Sequence, residues 1–197
     1  MRVISGTAKG RRLKAPPGLN TRPITDMIKE ALFNVWGSKV VDARILDLFA
    51  GSGSVGIEAL SRGAREVVFI DNANTAVRVI RENLDHCQFR SGFEVLRGDV
   101  FRLLQRISQQ GRQFDLVYVD PPFVREDIFE PVMEAISQAE IVSADGIVVI
   151  RSPRKKEMPS FSSLVKYRQG NYGESSLHYY CRCEEEPNDD GDISHSG

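Results

Sequence analysis

Asp47-Leu48-Phe49-Ala50-Gly51-Ser52-Gly53-Ser54-Val55-Gly56 is the most informative stretch of this sequence, because it joins a short apolar run to a helical pattern. Its glycines match the spacing G-x-G-x-x-G, which permits a tight strand-to-helix turn and lets a ligand lie against the backbone where the helix begins. The spacing alone is a weak signal. Its place between a predicted strand and a predicted helix, with Asp71 ending the next strand, favours a βα unit that binds a ribose-bearing cofactor.

On both sides of this turn, short apolar runs alternate with helical patterns, which is typical of α/β domains with a parallel sheet. Two later alternating stretches, 164–169 and 176–183, predict antiparallel strands at the sheet edge, joined by a turn at 170–173. The other strands are predicted at 45–49, 67–71, 94–97, 116–120 and 147–151, and the helices at 55–62, 73–85, 101–109 and 126–140.

Two segments flank this body. Residues 2–13 alternate loosely and predict a small hairpin, and a helix is predicted from about residue 25 to residue 36 with Thr25 as its N-cap. From Glu184 onward the chain is acidic and almost free of apolar residues, which predicts a disordered tail. The predicted organisation is an N-terminal extension of residues 1–36, one domain of residues 37–183 and a tail of residues 184–197.

The charges are unevenly distributed along the chain. With 197 residues, 41% of them hydrophobic and 27% charged, the composition fits one globular domain with short appendages. The net charge of −1 hides an acidic tail with six acids and no Lys or Arg, so residues 1–183 hold 26 bases against 21 acids. The first thirty residues hold seven bases and two acids. The N-terminal end is therefore compatible with a nucleic-acid partner, and we expect the tail to be dispensable for activity.

The cysteines and histidines do not predict a metal site. Cys87, Cys181 and Cys183 are odd in number, and the three histidines are scattered, so the spacing of a zinc site is missing and we expect no metal. Reduced thiols of this kind are typical of intracellular proteins. No apolar run has the length of a membrane span and the start of the chain lacks a secretory signal pattern, so we expect a cytoplasmic protein.

Carboxylates at strand ends narrow the choice of cofactor. NAD uses the same glycine spacing, but Asp47 argues against it, because a carboxylate in an apolar strand end is costly to desolvate unless it meets a donor or a cation. S-adenosylmethionine carries such an ammonium group and has no pyrophosphate. Asp71 can accept hydrogen bonds from both hydroxyls of a ribose. Asp99 either accepts from the adenine amino group or caps the next helix, and both roles can hold together.

The motif Asp120-Pro121-Pro122-Phe123 follows the fourth apolar run directly. An exocyclic amine of a base is a poor nucleophile because its lone pair is delocalised into the ring. Acceptors aimed at its two N–H bonds, the Asp120 carboxylate and the Pro121 carbonyl, favour a localised lone pair. Proline removes competing donors, and the Phe123 ring offers a stacking surface. The motif indicates an amine held in line with a methyl donor.

These motifs, in this order, resemble those of class I S-adenosylmethionine-dependent amino-methyltransferases, and D-P-P-F resembles the signature of enzymes that methylate exocyclic amines of nucleobases. The N-terminal runs R-V-I-S-G, K-G-R-R-L, N-T-R-P and K-E-A-L-F-N, at 2–6, 9–13, 20–23 and 29–34, further resemble the RsmD family. That family methylates the N2 amine of a guanine in bacterial small-subunit ribosomal RNA. The resemblance covers about residues 1–182.

The resemblance implies an α/β, Rossmann-like methyltransferase fold with a mostly parallel seven-stranded sheet, one reversed strand and an N-terminal hairpin and helix. It implies S-adenosyl-L-methionine as cofactor and 16S ribosomal RNA as partner, free or in a small-subunit assembly intermediate, and we expect a monomer. The family often has Glu at position 71 and Tyr at position 123, but Asp still binds a diol and Phe still stacks.

Three sets of site residues follow. The residues expected to bind the cofactor are Asp47, Phe49, Ala50, Gly51, Ser52, Gly53, Asp71, Asn72, Asp99 and Val100. Those expected to hold the amine during catalysis are Asp120, Pro121, Pro122 and Phe123. Those expected to contact RNA phosphates are Arg11, Arg12, Lys14, Arg22 and Lys29.

Other functions remain open from sequence. An amino-methyltransferase acting on adenine N6 or cytosine N4 of DNA or RNA would keep every cofactor residue and the D-P-P-F motif, but a DNA enzyme normally needs a target-recognition region for which this chain has little room. A non-catalytic RNA-binding assembly factor with the same fold has no need of the intact motif. An NAD-dependent oxidoreductase is disfavoured by Asp47.

Overall fold

The computed structural model describes residues 1–17 and 23–182. The described chain forms five α-helices and seven β-strands, which alternate except for the last three strands, and the predicted elements are all present with shifts of a few residues at their ends. The helices are α1 (Asp26–Trp36), α2 (Ser54–Ser61), α3 (Asn74–His86), α4 (Val100–Gln109) and α5 (Phe129–Gln138). The strands are β1 (Arg44–Leu48), β2 (Glu66–Asp71), β3 (Phe93–Arg97), β4 (Phe114–Val119), β5 (Val142–Pro153), β6 (Leu164–Tyr172) and β7 (Ser175–Arg182).

The strands form one sheet in the order β3-β2-β1-β4-β5-β7-β6. The first five in this order pair in parallel, whereas β7 runs antiparallel to both β5 and β6. The sheet thus has seven strands and one reversed strand, as expected. Because β1 and β4 are neighbours although two βα units separate them in sequence, the sheet changes winding direction there, and the carboxyl ends of β1, β2 and β4 meet around a crevice.

Helices cover both faces of the sheet. The N-terminal extension, α1, α2 and α3 pack on one face and bury Trp36, Phe33 and Phe69. On the other face, α4 and α5 pack over Leu46, Val117 and related residues. Strands buried on both sides explain why the central runs read as continuously apolar rather than alternating. None of the helices in the described part of the chain is both long and apolar enough to span a membrane.

The helix start at Thr25 is confirmed, because its Oγ1 accepts from the Ile28 amide at 3.3 Å. The helix predicted over 126–140 is shorter than expected. Residues Glu126–Ile128 form a 3-10 turn and α5 begins at Phe129. Pro131 lacks an N–H donor and is tolerated only in the first turn of a helix, which fits this start. The turn predicted at 170–173 is wrong in extent, since β6 continues to Tyr172 and only residues 173 and 174 reverse the chain.

The N-terminal segment pairs as a short hairpin. An antiparallel bridge joins Arg2 to Arg12, and three backbone bonds join the two halves: the amides of Val3, Gly10 and Leu13 donate to the carbonyls of Arg11, Val3 and Met1 at 2.9, 2.8 and 3.0 Å. The middle of this segment docks on α2. The Ala8 amide donates to Ser61 Oγ at 2.9 Å, and a Cβ built on Gly6 would lie 1.7 Å from the Ser61 carbonyl oxygen.

Candidate active site

A cavity of about 280 Å³ lies at the carboxyl ends of the parallel strands. The glycine-rich turn after β1, the ends of β2 and β4, and Arg151 on β5 line it, and the N-terminal extension closes one side. Of the expected site residues, the structure brings together Asp47, Phe49, Ala50, Gly51, Ser52, Asp71, Asn72, Asp120, Pro121, Pro122 and Phe123. Gly53, Asp99 and Val100 are not among the residues that line the cavity.

The glycines of the turn have two different roles. Gly51 and Gly53 adopt φ of 57° and 74°, in the left-handed region that glycine enters without strain. Gly56 allows α2 to approach β2, because a Cβ built there would lie 2.2 Å from a ring carbon of the buried Phe69. Phe49 also has a positive φ, of 58°, at the start of the turn. The glycine spacing therefore fixes both the turn and the position of α2 behind it.

Asp47 is buried beneath this turn, with an exposed fraction of 1%. Its Oδ2 accepts from the Gly56 amide at 3.0 Å. Burial raises the pKa of Asp47 well above its usual value; the Gly56 amide opposes this shift, and the nearby charges of Asp120 and Asp71 add to it. A carboxylate with this environment at a cavity wall is stabilised in its charged form by a cation, which fits an ammonium-bearing ligand.

Asp71 is fixed at the end of β2 by two backbone donors. Its Oδ2 accepts from the Gly51 amide and its Oδ1 from the Ala73 amide, both at 2.9 Å. Each carboxylate oxygen keeps a second acceptor position. Asp71 therefore connects the glycine-rich turn to the turn after β2 and can also accept from a pair of neighbouring hydroxyls.

Asp99 caps α4, which was one of its two predicted roles. Its Oδ1 accepts from the Arg102 amide at 3.1 Å, and the side chain is exposed outside the cavity wall. Val100 begins the helix and is buried. The predicted contact of Asp99 with an adenine amino group stays a prediction.

Asp120 lies between two partners that sequence reasoning missed. Arg151 Nε donates to Asp120 Oδ1 at 2.8 Å, and the Tyr118 hydroxyl donates to Asp120 Oδ2 at 3.2 Å. The exposed fractions of the Arg151 and Asp120 side chains are 4% and 16%. Burial raises the pKa of Asp120, while Arg151 and the Tyr118 hydrogen bond oppose the shift. The Arg151 guanidinium carbon also lies 5.0 Å from the centre of the Phe123 ring.

Strand pairing is the signal that could have found Arg151. In the parallel pair, Val119 lies opposite Ile150, so the residues that follow them, Asp120 and Arg151, are neighbours across the sheet. A charged residue ending an apolar strand beside a strand that ends in Asp is visible in the sequence once the strand order is known. The other cavity residues that were missed are Met1, Ala15, Pro16, Pro23, Ile24, Ser54, Val55, Ala73, Tyr118, Arg125 and Ile128.

The N-terminal extension is tied to the glycine-rich turn by Asn83 of α3. Its amide oxygen accepts from the Lys14 backbone amide at 2.9 Å, and its nitrogen donates to the carbonyls of Lys14 and Ser52 at 3.0 and 2.9 Å. Nothing in the local sequence around Asn83 indicates this long-range link. It explains how a segment distant in sequence forms part of the cavity wall.

The predicted RNA contacts are in different environments. Arg11 donates to the His86 carbonyl at 2.6 Å and to Gln88 Oε1 at 2.9 Å, and Lys14 pairs with Glu82 at 3.0 Å. Arg12 is exposed. Arg22 lies outside the described residues. Each of the three described side chains remains a predicted phosphate contact.

The structure places Lys29 away from the surface at which it was expected to contact RNA. It is fully buried, and its Nζ donates to the Arg2 carbonyl at 2.5 Å and to Ser54 Oγ at 3.0 Å and lies 3.3 Å from Glu58 Oε2. Burial lowers the pKa of Lys29, and the Glu58 carboxylate opposes this shift. The prediction that Lys29 contacts RNA phosphates is wrong, because its ammonium is enclosed between α1 and α2.

Metal ligands are not grouped in the part of the chain that the structure describes. Within residues 1–17 and 23–182, no cluster of three or more His, Cys, Asp or Glu side chains is arranged to hold a metal ion.

The chain is similar to known proteins over most of its length. The family described as conserved hypothetical protein 95 matches residues 1–181. YlbH of Bacillus subtilis (strain 168) is 38% identical over 181 residues, which are 91% of this chain and 98% of YlbH. Ribosomal RNA small subunit methyltransferase D of Escherichia coli (strain K12) is 31% identical over 160 residues, 81% of this chain and 78% of that protein. The chain belongs to the RsmD family.

Solved structures related to this RsmD-family chain agree with its fold. The structure of yhhF from Escherichia coli has a TM-score of 0.79 at 30% identity and covers 92% of this chain and 97% of that one. The structure of TTHA0928 from Thermus thermophilus has a TM-score of 0.80 at 28% identity, and the match covers 92% of this chain and 99% of that one. The predicted class I methyltransferase fold is confirmed.

Proposed function

We propose that the protein transfers a methyl group from S-adenosylmethionine to the exocyclic N2 amine of a guanine in 16S ribosomal RNA. One observation carries the proposal: the carboxylates Asp47 and Asp71 and the motif 120–123 line a single cavity. The first pair suits the amino acid and ribose parts of the cofactor, and the motif suits a flat base with an amine. The name of the relative from Escherichia coli supports the choice of ribosomal RNA.

The residues fit the cofactor by their chemistry. Buried Asp47 would pair with the ammonium, Asp71 would accept from the two ribose hydroxyls, and backbone groups of residues 49–52 would hold the amino acid part. Asn72, which lines the cavity, would border the adenine, and the contact of Asp99 and Val100 with the adenine stays a prediction. When bound, S-adenosylmethionine supplies a methyl group on a positively charged sulfur.

The motif 120–123 would hold the guanine amine that accepts the methyl group. The Asp120 carboxylate and the Pro121 carbonyl accept from the two N–H bonds of the guanine amine, Phe123 stacks on the base, and Pro122 keeps the backbone free of a competing N–H donor. With its lone pair directed at the methyl group that the cofactor would supply, the nitrogen would accept that group, the sulfur would leave as a neutral thioether, and the nitrogen would release one proton to Asp120 or to water. Fixing the reacting atoms in line is the main contribution of the protein.

The RNA side of the proposal rests on the N-terminal extension. Arg11, Arg12, Lys14 and Arg22 supply positive charge along residues 1–36, and the domain of residues 37–183 supplies the chemistry. A base-paired guanine hides its N2 amine, so the target is unpaired or flipped out of its stack. We propose that a monomer acts in the cytoplasm on ribosomal RNA, either free or within a small-subunit assembly intermediate.

The test uses methyl-labelled S-adenosylmethionine with three substrates: unmodified small ribosomal subunits, naked 16S ribosomal RNA and duplex DNA. Products are digested to nucleosides and identified by mass spectrometry. The proposal predicts N2-methylguanosine from a ribosomal substrate and no labelled nucleoside from DNA. Label on DNA adenine or cytosine alone would contradict it, as would wild-type protein that binds no S-adenosylmethionine in calorimetry.

A further inference from the structure

A single guanidinium contacts both groups that are proposed to hold the guanine amine. Arg151 donates from Nε to Asp120 Oδ1 at 2.8 Å, and its central carbon lies 5.0 Å from the centre of the Phe123 ring. With 4% of its side chain exposed, this charge is almost fully removed from solvent. A buried arginine is retained only where it is paired with good geometry, and here the pairing lies in the cavity wall.

The groups that face Asp120 come from every neighbouring element of the sheet. Tyr118 donates from β4 to the other carboxylate oxygen, at 3.2 Å, and Arg151 lies on β5. Asp47 at the end of β1 and Asp71 at the end of β2 add negative charges to the same cavity. Arg125, in the loop after β4, also lines the cavity but is paired with Asp127 at 2.9 Å. Arg151 is thus the cation in direct contact with Asp120 among the described residues.

We propose that Arg151, with help from Tyr118, is a positioning residue that holds the Asp120 carboxylate ionised and turned toward the guanine amine. This inference rests on the proposed function for its substrate. A protonated Asp120 would present an O–H donor to an amine that also donates, so the contact that orients the lone pair would be lost. Burial opposes the charge of Arg151, but the neighbouring Asp120 and Tyr118 raise its pKa above the usual high value of arginine, so it stays charged throughout the working range.

The role restricts what Asp120 does during the reaction. Each of its oxygens already accepts one hydrogen bond from the protein, and the carboxylate lines the cavity. Burial raises the pKa of Asp120, and the bonded guanidinium and the Tyr118 hydroxyl limit that rise. Asp120 is therefore an ionised acceptor that orients the amine before the methyl group is transferred.

The test follows the ionisation of Asp120 directly. Protein labelled with ¹³C at aspartate carboxyl groups is titrated by NMR, with the Asp120 signal assigned by its loss in Asp120→Asn. We expect the pKa of Asp120 to rise by at least about one unit in Arg151→Met, and Arg151→Lys to restore most of the difference, since it returns a positive charge. Tyr118→Phe, which removes one hydrogen bond and no charge, is expected to raise the pKa by less.

The matched control is Arg112→Met. Arg112 is also paired with carboxylates, Glu66 at 3.0 Å and Glu94 at 2.8 Å, but it precedes β4 and so lies near the amino ends of the strands, away from the cavity. This variant is expected to leave the Asp120 titration unchanged. An unchanged Asp120 titration in Arg151→Met, or in Tyr118→Phe if Arg151→Met does not fold, would overturn the inference.

The pH dependence of methyl transfer separates this inference from the proposed function. In Arg151→Met, the acidic limb of kcat is expected to move to higher pH by the same interval as the NMR titration, while KM for S-adenosylmethionine changes less than threefold. A purely structural role would lower the melting temperature without moving the limb, and that result would overturn the inference. If the NMR shift occurs but wild-type protein transfers no methyl group to RNA, the proposed function fails and the assignment of Asp120 ionisation to Arg151 stands.

Discussion

Two buried ion pairs, Lys29–Glu58 and Arg151–Asp120, have similar chemistry and different surroundings. Glu58 is fully buried, and its two oxygens accept from the Ile4 and Ser5 amides at 2.7 and 3.0 Å in addition to their contacts with Lys29 and Arg62. A carboxylate offers about four acceptor positions, so Glu58 is saturated by the protein. Its network fastens the N-terminal extension to α2.

Asp120 has fewer partners within the described chain. Arg151 and Tyr118 donate one hydrogen bond each to its side chain, and the carboxylate lines the cavity. Acceptor capacity is therefore left for a ligand. The comparison teaches that a buried ion pair is functional or structural according to where its unused hydrogen-bonding capacity points.

The largest effect is expected from Glu58→Ala. It leaves Lys29 buried without its carboxylate and removes the acceptor for two backbone amides, so the free energy of unfolding should fall by about 3–5 kcal/mol. Urea denaturation of wild type and variant measures the loss. The control is Glu82→Ala, which removes the exposed partner of Lys14 and should leave the unfolding midpoint unchanged. Equal midpoints for the two variants would contradict a structural role for Glu58.

Asp120→Asn is expected to separate activity from stability. The amide keeps the size of the side chain but replaces an acceptor with a donor, so methyl transfer to ribosomal RNA should fall by about 10²-fold or more. The affinity for S-adenosylmethionine, measured by calorimetry, should change less than threefold. The matched variant Glu58→Gln, assayed at a temperature where it is folded, should retain most of its rate. A comparable loss of rate in both variants would remove the distinction between the two pairs.

Gly6→Ala tests whether the N-terminal turn depends on its contact with α2. The added Cβ would lie 1.7 Å from the Ser61 carbonyl oxygen, so the turn must move away from the helix. Gly10 has a similar φ, 85° against 81°, but a Cβ added there would have no atom within 4 Å, so Gly10→Ala carries the backbone strain alone. We expect the free energy of unfolding of Gly6→Ala to be lower than that of Gly10→Ala by roughly 1–3 kcal/mol. Faster hydrogen exchange at the Ala8 amide in Gly6→Ala only would confirm the cause.

The smallest effect is expected from Arg12→Ala. Removing one exposed phosphate contact should weaken RNA binding a few-fold and reduce the slope of log affinity against log salt by roughly 1. Lys39→Ala is the control, because Lys39 is exposed on the 3-10 turn Gly37–Val40, outside the N-terminal extension. Identical salt slopes for the two variants would remove Arg12 from the RNA interface.

Local patterns predicted most of the fold and about half of the candidate site. The glycine spacing, the apolar runs and the motif 120–123 are contiguous in sequence, and each places its own residues at a strand end. Asp47, Asp71 and Asp120 were found in this way, because a carboxylate at the end of an apolar strand has few structural reasons to be there. The strand order follows from the same runs once a class I methyltransferase fold is recognised.

The missed features depend on contacts between distant segments. Arg151 joins Asp120 only through the pairing of β4 with β5, and Asn83 joins the extension to the glycine-rich turn across 69 residues. The prediction that Lys29 contacts RNA was wrong for the same reason. Net charge along the chain does not distinguish an exposed lysine from one enclosed beside Glu58 on another helix. The docking of the hairpin at residues 2–13 on α2 is likewise a contact that local alternation does not reveal.

The central claim is tested most directly by mapping modified nucleotides in 16S ribosomal RNA from cells that lack this protein. The account predicts that one N2-methylguanosine is missing, that wild-type protein restores it, and that Asp120→Asn present at the same level does not. An unchanged set of guanine modifications in the deletion strain, or full restoration by Asp120→Asn, would contradict the account.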